Sequence, residues 1–313
     1  MTPSITDVLV VGGAGVDTIV RVEDLEVPSG DSTGVPPIHD YVAHTGNGVA
    51  RGCRALGLRT AFLDFLGDDP QGRAIEEAYA LDGLDFTSVH SPHGTPRAVN
   101  LVDARGRRFS FYDGRHPADL RLPRDVWLPM VERAGHVHMS ITGVNRDMYP
   151  DLHRSGVPSS TDLHDWDGDN PHHRHYALNS DLVFLSAGAL EDRLEEVLHG
   201  IVHDERGRAR LAVAMDGANG CHLLARGEDD VRHFPAARPG RPVVDTNGAG
   251  DAFVSGFLHA HLNGLGVEEC VLAGSVSGAF ACGSAGTHTE FIDLDSLRAG
   301  VAAELARTAP GTA

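Results

Sequence analysis

The stretch Val243-Val244-Asp245-Thr246-Asn247-Gly248-Ala249-Gly250-Asp251-Ala252-Phe253 leads from apolar residues through a glycine-rich turn into a segment with helical spacing. Such a turn predicts an exposed helix N-terminus, where unpaired backbone N–H groups and the helix dipole favour an anion. We expect the N–H groups of residues 248–250 to face a phosphate group. Asp251 lies one step into the helix, where it can accept a proton from a hydroxyl that attacks this phosphate. A lone first-turn Asp would indicate only a favourable helix dipole, but the whole combination favours catalysis.

The rest of the chain alternates strand and helix patterns. Apolar runs predict buried strands at residues 7–12, 60–66, 136–140, 159–163, 182–185 and 211–215, and two further strands at 221–225 and 231–235. Helical spacing is found at residues 46–56, 70–81, 124–134, 145–154, 172–178, 190–203, 249–263, 267–282 and 293–305. This order predicts an α/β fold with a mostly parallel sheet between layers of helices.

Short β-rich pieces near the N-terminus do not follow this alternation of strands and helices. Residues 18–22 and 35–42 are separated by the prolines and glycines at 28, 30, 36 and 37. Residues 97–103 and 107–112 alternate apolar and polar side chains around a turn, as in a β-hairpin. These pieces predict a small second sheet, a lid made of about residues 17–44 and 94–115. We expect one domain over residues 1–313, with substrate between the lid and the carboxyl ends of the main strands.

Composition excludes several classes of enzyme. The 313 residues contain 44 acidic and 26 basic side chains, a net charge of −18, and every basic residue is arginine. Without lysine the chain has no Walker-A loop, no protein-kinase strand lysine and no Schiff-base chemistry. The negative charge, without a basic stretch, argues against nucleic acid and anionic membranes as partners.

Targeting and redox signals are weak. The N-terminus has no basic region before its apolar run, and the apolar run near residues 271–283 is too short and too rich in Gly and Ser to span a bilayer. The four cysteines lack CxxC spacing, so neither a zinc site nor a disulfide framework is indicated. We therefore expect a cytoplasmic protein with reduced, mostly buried thiols.

Residues 245–251 resemble the DTxGAGD signature of the ribokinase-like (PfkB-type) sugar and nucleoside kinases. Residues 8–20 resemble the first strand of that family and its substrate-contacting Asp, and residues 65–72 resemble its G-D-D-x-x-G segment. Residues 97–112 are similar to its lid hairpin, and residues 216–220 lie where its nucleotide loop belongs. The resemblance covers about residues 7 to 300 and implies a three-layer α/β/α ribokinase-like fold with a small β-sheet lid.

The resemblance also implies site residues and cofactors. Asp251 would be the general base, with Gly248, Ala249 and Gly250 as the anion hole for the transferred phosphoryl group. ATP and Mg²⁺ are the implied cofactors, with K⁺ as a further candidate and a homodimer formed through the lid. The implied nucleotide contacts are Asp245, Thr246, Asp216, Gly217, Gly220 and Ser275; the candidate substrate contacts are Asp17, Gly46, Asn47, Arg97 and Asp162.

The chain departs from the family pattern at two motifs. In the signature G-G-x-x-x-N-x-A, Gly48 occupies the sugar-binding Asn position and Asn47 precedes it by one residue. The N-x-x-E motif, which orders Mg²⁺ and phosphate, falls on residues 186–189, Ser-Ala-Gly-Ala, so the metal ligands stay unassigned. The acceptor also stays open, because ribose, fructose-type sugars, sugar acids and nucleosides all fit the scaffold.

Several alternatives compete with this interpretation. A relative that binds a sugar or nucleoside without phosphorylating it would explain the altered motifs, and the glycines at 12–15 would suit a Rossmann oxidoreductase only if a helix followed. Asp162 could equally be a capping residue or a substrate contact. Arg97 could equally be an exposed strand residue or a contact to an anionic group of the substrate. Residues 165–170 resemble the start of a calcium loop, but Asn170 stands at the position where such a loop requires glycine. Histidines at 136, 138 and 172–175 lack the spacing of a metal site.

Overall fold

The computed structural model describes residues 6–26 and 29–308. Two sheets carry the strands, and nine helices are found in the described part of the chain. The strands are β1 (Val8–Val11), β2 (Gly15–Arg21), β3 (His39–Ala43), β4 (Thr60–Leu66), β5 (Asp85–His90), β6 (Arg97–Val102), β7 (Arg108–Asp113), β8 (Val137–Ser140), β9 (Ser159–Asp162), β10 (Leu182–Ser186), β11 (Leu211–Met215), β12 (Cys221–Ala225) and β13 (Arg232–Phe234). The helices are α1 (Thr45–Ala55), α2 (Pro70–Asp82), α3 (Arg124–Val131), α4 (Tyr149–Ser155), α5 (Pro171–Asn179), α6 (Leu194–Val202), α7 (Ala249–Leu262), α8 (Val267–Ala281) and α9 (Leu294–Thr308).

The main sheet has nine strands in the order β13-β12-β11-β10-β9-β8-β1-β4-β5. All neighbours pair parallel except β11 with β12 and β12 with β13, which pair antiparallel. Side chains of β1 alternate between the faces, so that Val8 and Val10 enter one apolar core and Leu9 and Val11 the other. Burial on both faces is the reason why these strands are continuous apolar runs.

Each face of the sheet is covered by its own helices. The first core contains Val49 of α1, Ile75 of α2 and Phe257 of α7, and the second contains Trp127 of α3 and Tyr149 of α4. This arrangement confirms the predicted layers of helices around a mostly parallel sheet. No helix among the described residues has the length and apolar character needed to cross a membrane.

The second sheet has four strands in the order β3-β2-β6-β7 and corresponds to the predicted lid. β2 pairs parallel with β6, while β3 and β7 pair antiparallel with their neighbours. Val27 and Pro28, within the predicted lid segment 17–44, lie outside the described residues. The glycines at 12–15 lead directly into strand β2, so the helix that a Rossmann site requires is missing at this point of the described chain.

Some predicted elements differ in the structure. The pattern of residues 85–90 did not indicate β5, because this edge strand is half exposed and lacks an apolar run. Predicted helices at 145–154 and 190–203 begin with 3-10 turns, and the regular helices start at Tyr149 and Leu194. Among the residues described, all four cysteines are free, three of them buried.

Candidate active site

Several predicted site residues lie at the carboxyl ends of main-sheet strands, the edge at which α/β proteins bind ligands. Asp162 ends β9, and Asp216 follows β11. Asp17 lies on lid strand β2, and Gly46 and Asn47 lie in the first turn of α1. The structure therefore brings residues from distant parts of the sequence to one edge of the sheet.

Helix α7 begins at Ala249, directly after Gly248 in a left-handed conformation with a φ of +79°. Gly250 and Asp251 follow in the first turn, whose N–H groups have no carbonyl partner within the helix. An α-helix start with these small residues is a suitable site for a phosphate. The anion hole expected at residues 248–250 would use the backbone N–H groups at this helix start.

Asp251 is buried, and its two carboxylate oxygens differ in their surroundings. Oδ2 lies 2.8 Å from Nε2 of His288, whereas Oδ1 has no hydrogen-bond partner among the described residues. A carboxylate oxygen without a partner is available to accept a proton from a ligand hydroxyl. His288 was absent from the sequence-based site because it belongs to no motif and lies 37 positions away.

Asn47 is completely buried beside His288. Its amide nitrogen lies 3.2 Å from the backbone oxygen of Val42 and 2.9 Å from Nδ1 of His288. Its Oδ1 lacks a hydrogen-bond partner within the described part of the chain. The amide nitrogen of Asn47 is thus bonded within the protein, whereas its amide oxygen is unpaired among the described residues.

Two further buried acidic residues lie near those described above: Asp162 interacts with Asp251, and Asp64 interacts with His44. Burial raises the pKa of the Asp162 carboxyl, and the nearby Asp251 raises it further while His164 opposes them. Asp162 Oδ1 also accepts the N–H of His164, at 2.9 Å. Burial raises the pKa of Asp64 to about 6, although hydrogen bonds from backbone N–H groups, including that of Ala14, act to lower it. Burial therefore raises the pKa of both carboxyl groups, and Asp251 contributes to the raised pKa of Asp162.

The lid sheet contacts His44, the residue directly before α1. Asp17 Oδ1 faces Nε2 of His44 at 3.3 Å, and the ring of Tyr112 lies 5.6 Å from the His44 ring. Arg97 is half buried, and its guanidinium lies 3.5 Å from the Thr18 hydroxyl. His44 and Tyr112 were not among the predicted contacts. His44 follows β3 and Tyr112 lies on β7, so these rings come together only when the four lid strands pair with one another.

Two lid arginines contact the loop of residues 245–250, called the phosphate loop here after its predicted role. Arg21 donates to Oδ2 of Asp245 at 2.8 Å, and Arg108 donates to Oδ1 of Asn247 at 2.8 Å. The same Asp245 oxygen accepts the N–H of Gly286 at 3.3 Å. Asp245 therefore joins the lid, the phosphate loop and the segment after α8. Thr246 is exposed, and its carbonyl accepts the N–H of Ala249.

The predicted nucleotide loop is a tight turn between β11 and β12. The N–H of Asp216 donates to the carbonyl of Gly220 at 2.8 Å, and Gly217 begins a 3-10 turn. A Cβ atom on Gly220 would lie 1.9 Å from the carbonyl oxygen of Phe234, so only glycine fits this position. Ser275 of α8 accepts the N–H of Ala237 through its hydroxyl, which ties the helix to the chain after β13.

The histidine pair His136 and His138 has a partner within the protein. His136 and His138 are buried and share the hydroxyl of Ser160, at 2.8 and 2.9 Å. Burial lowers the pKa of His136 to about 3 and that of His138 to about 4. No group of three or more His, Cys, Asp or Glu side chains that could hold a metal is found among residues 6–26 and 29–308. In the 165–170 loop, Asp167 Oδ1 accepts the N–H groups of Asp169 and Asn170.

Comparison with known proteins places this geometry in a family. A protein-family sequence model described as "pfkB family carbohydrate kinase" matches residues 181–293. The chain is 46% identical over 293 residues to the acarbose 7(IV)-phosphotransferase of Actinoplanes sp., covering 93% of this chain and 97% of the relative. It is 28% identical over 235 residues to the fructoselysine 6-kinase of Escherichia coli K12, covering 74% and 85%.

Solved structures agree with these relatives. The microbiome-derived acarbose kinase Mak1 superposes with a TM-score of 0.88 at 45% identity, covering 95% of this chain and 99% of that one. Arabidopsis thaliana ribokinase, solved with ribose and ATP, superposes with a TM-score of 0.76 at 20% identity, covering 95% and 98%. The ribokinase-like fold expected from the sequence is confirmed. The chain belongs to the pfkB family of carbohydrate kinases, and it transfers a phosphoryl group from ATP to a sugar hydroxyl.

Proposed function

We propose that this kinase phosphorylates a hydroxyl of acarbose or a closely related oligosaccharide, with Asp251 as general base. The supporting observation is the free Oδ1 of Asp251 at the start of α7, next to the N–H groups of residues 248–250. The choice of acceptor is supported by the 46% and 45% identity to two proteins that act on acarbose. Other sugars and nucleosides are the alternatives that the assay below includes.

In this proposal the acceptor lies between the lid and the floor of the site. Asp17, Arg97 and Asp162 contact its hydroxyl groups, together with the Oδ1 atom of Asn47. Gly46 brings α1 close to the turn at Gly12, because a Cβ atom at position 46 would lie 1.9 Å from the Gly12 carbonyl oxygen. Sugar hydroxyls donate and accept hydrogen bonds, so buried unpaired oxygens are suitable contacts for them.

ATP lies along residues 216–220 with its γ-phosphate at residues 248–250. Asp216, Gly217, Gly220 and Ser275 line the nucleotide side, and Asp245 and Thr246 support the phosphate loop. Magnesium ions are bound through phosphate oxygens and water with one or two carboxylates, so the lack of an all-protein cluster among the described residues fits this metal. When bound, Mg²⁺ neutralises charge on the phosphates.

We further propose K⁺ as an activator and the lid as a dimer interface. Asp245 orders the segment at Gly286, which supports a cation site nearby. On the outer face of the lid, Val99, Phe109 and Phe111 are 38%, 54% and 58% exposed, a row of apolar side chains that a second lid would cover. We propose one kinase domain over residues 1–313. Turnover in KCl against tetramethylammonium chloride, and the solution mass by light scattering, test the first two points.

The test of the function is ATP consumption with Mg²⁺ over a panel of acceptors that contains acarbose, ribose, fructose and nucleosides. We expect acarbose to be turned over, and Asp251→Asn to reduce kcat by about 10²- to 10⁴-fold because the variant cannot accept the proton. If no acceptor in the panel were phosphorylated while one of them raised the melting temperature, the catalytic assignment would be overturned in favour of a binding protein. Full activity of Asp251→Asn would overturn the role of the base.

A further inference from the structure

His288 lies between two glycines of the active site. A Cβ atom on Gly48 would lie 2.3 Å from its Nε2, and one on Gly248 would lie 2.8 Å from its Cδ2. The imidazole thus occupies space that a side chain at position 48 would take. Its side chain is only 4% exposed, and its Nε2 is 2.8 Å from Oδ2 of Asp251.

The partners of the imidazole define which nitrogen carries the proton. An amide nitrogen only donates hydrogen bonds, and the nitrogen of Asn47 lies near the carbonyl oxygen of Val42 at 3.2 Å. The carbonyl fixes the orientation of this amide, so the same nitrogen must also donate to Nδ1 of His288, at 2.9 Å. Nδ1 is therefore an acceptor, and Nε2–H donates to Asp251.

Packing holds the ring in this orientation. The Phe291 ring stacks on the imidazole with an interplanar angle of 18°, and the Arg51 guanidinium lies 4.8 Å from the centre of the Phe291 ring. His288 also has a φ of +55°, a left-handed conformation that is uncommon for residues other than glycine and is found at functional sites. Contacts on three sides therefore keep Nε2 directed at one carboxylate oxygen.

We propose that His288 is a positioning residue that orients and stabilises the Asp251 carboxylate, with Asn47 selecting its tautomer. The inference rests on the proposed role of Asp251 as base. The hydrogen bond from Nε2 holds Oδ2, so that Oδ1 is the oxygen directed at the acceptor. Histidine takes this place because Gly48 leaves the space for an imidazole.

The chemical step follows from this arrangement. The acceptor hydroxyl oxygen forms a bond to the γ-phosphorus of ATP, while the bond from that phosphorus to the β–γ bridging oxygen breaks. The hydroxyl proton moves to Oδ1 of Asp251, and ADP leaves with the bridging oxygen. His288 keeps its Nε2 proton throughout and donates to Oδ2 before and after the transfer.

The test uses a pair of variants that differ in one donor. Glutamine at position 288 places an amide nitrogen near the position of Nε2, whereas methionine has a similar length and no donor. We expect His288→Met to lower kcat about 10- to 100-fold, the effect of losing a hydrogen bond to a charged group. His288→Gln recovers most of the activity, within about threefold of the wild type. KM for ATP and for the sugar stays within about twofold in both, because the proposed contact acts on the base.

His203→Met is the matched control, because His203 is exposed at the end of α6 and its variant should behave as the wild type. Equal kcat values for His288→Met and His288→Gln, with Asp251→Asn inactive, would overturn the positioning role and leave the proposed function intact. Loss of activity only in proportion to loss of folded protein, followed by thermal melting, would also overturn it.

A second measurement does not depend on turnover. Nitrogen-15 NMR of the wild-type protein distinguishes the two neutral tautomers of a histidine. We expect the Nε2–H form for His288, and its conversion to a mixture when Asn47 is replaced by leucine, which cannot donate to Nδ1. A proton on Nδ1 in the wild type would contradict the proposal even if every variant folded poorly.

Discussion

At the scale of single residues, Gly48, which departs from the family's sugar-binding signature, lies beside the proposed base Asp251. This position packs against both His288 and Asp251, since an added Cβ atom would lie 2.6 Å from the Asp251 Cβ atom. The imidazole of His288 can therefore lie beside Asp251 only because residue 48 has no side chain. Glycine at position 48 leaves no polar side chain there, but the imidazole of His288, from a distant segment, occupies the space.

The first prediction concerns this glycine. Gly48→Ala should displace the imidazole from Asp251 and lower kcat roughly 10- to 100-fold, because a misplaced group near the base is costly for catalysis. Steady-state kinetics measure this effect. The control is Gly200→Ala in α6, where the new Cβ atom would meet open space. Unchanged kcat in Gly48→Ala would show that the imidazole tolerates displacement.

At the scale of secondary-structure elements, the β11–β12 turn illustrates how strand pairing controls a loop. Met215 pairs with Cys221, and Cys221 pairs with Phe234. The turn must therefore pass close to the carbonyl of Phe234, which leaves no space for a Cβ atom at Gly220. Gly217 also has a positive φ, of +52°, but its surroundings are open.

The second prediction compares these two glycines. Gly220→Ala should destabilise the protein by about 2 kcal/mol or more, because its φ of +101° and the nearby carbonyl both oppose a side chain. Gly217→Ala should cost about 1 kcal/mol, the left-handed backbone penalty alone. Urea unfolding measures both values, and KM for ATP should rise more for Gly220→Ala. Equal destabilisation would contradict the steric argument.

At the scale of the whole molecule, buried histidines should make stability depend on pH. His136 and His138 are fully buried between the sheet and its helices, and burial lowers the pKa values to about 3 and about 4. In the unfolded chain both titrate near pH 6.5. As the pH falls below 6.5, the unfolded chain binds protons that the folded protein does not bind, so stability is lost with falling pH.

The third prediction follows from this difference. Between pH 6 and 5 each buried histidine should reduce the free energy of unfolding by up to about 1.4 kcal/mol. His136→Gln, whose amide can still bond to Ser160, should flatten this dependence relative to the wild type. Asp64, with its pKa raised to about 6 by burial, acts in the opposite direction but equally in both proteins. Urea unfolding at pH 5, 6 and 7 tests the slopes, with the exposed His203→Gln as control; equal slopes in wild type and His136→Gln would contradict the prediction.

Local patterns were sufficient to predict much of this molecule. The apolar runs of the central strands, the glycine turn before α7 and the hairpin at residues 97–112 all depend on neighbours in sequence, because burial on both faces of a strand and the start of a helix are encoded locally. The strand at residues 60–66 agrees with the structure to the residue. β5 was missed because a half-exposed edge strand has no such local signal.

The sequence alone determined the family of the chain, its layered α/β fold and the position of Asp251 at the start of a helix. Only the tertiary structure decided which groups surround that carboxylate. His288 is 241 residues from Asn47 and 37 from Asp251 in the sequence. His44 contacts Tyr112 only when the lid strands pair with one another. Contacts of this kind depend on how elements pack, and no periodicity or motif within one segment contains that information.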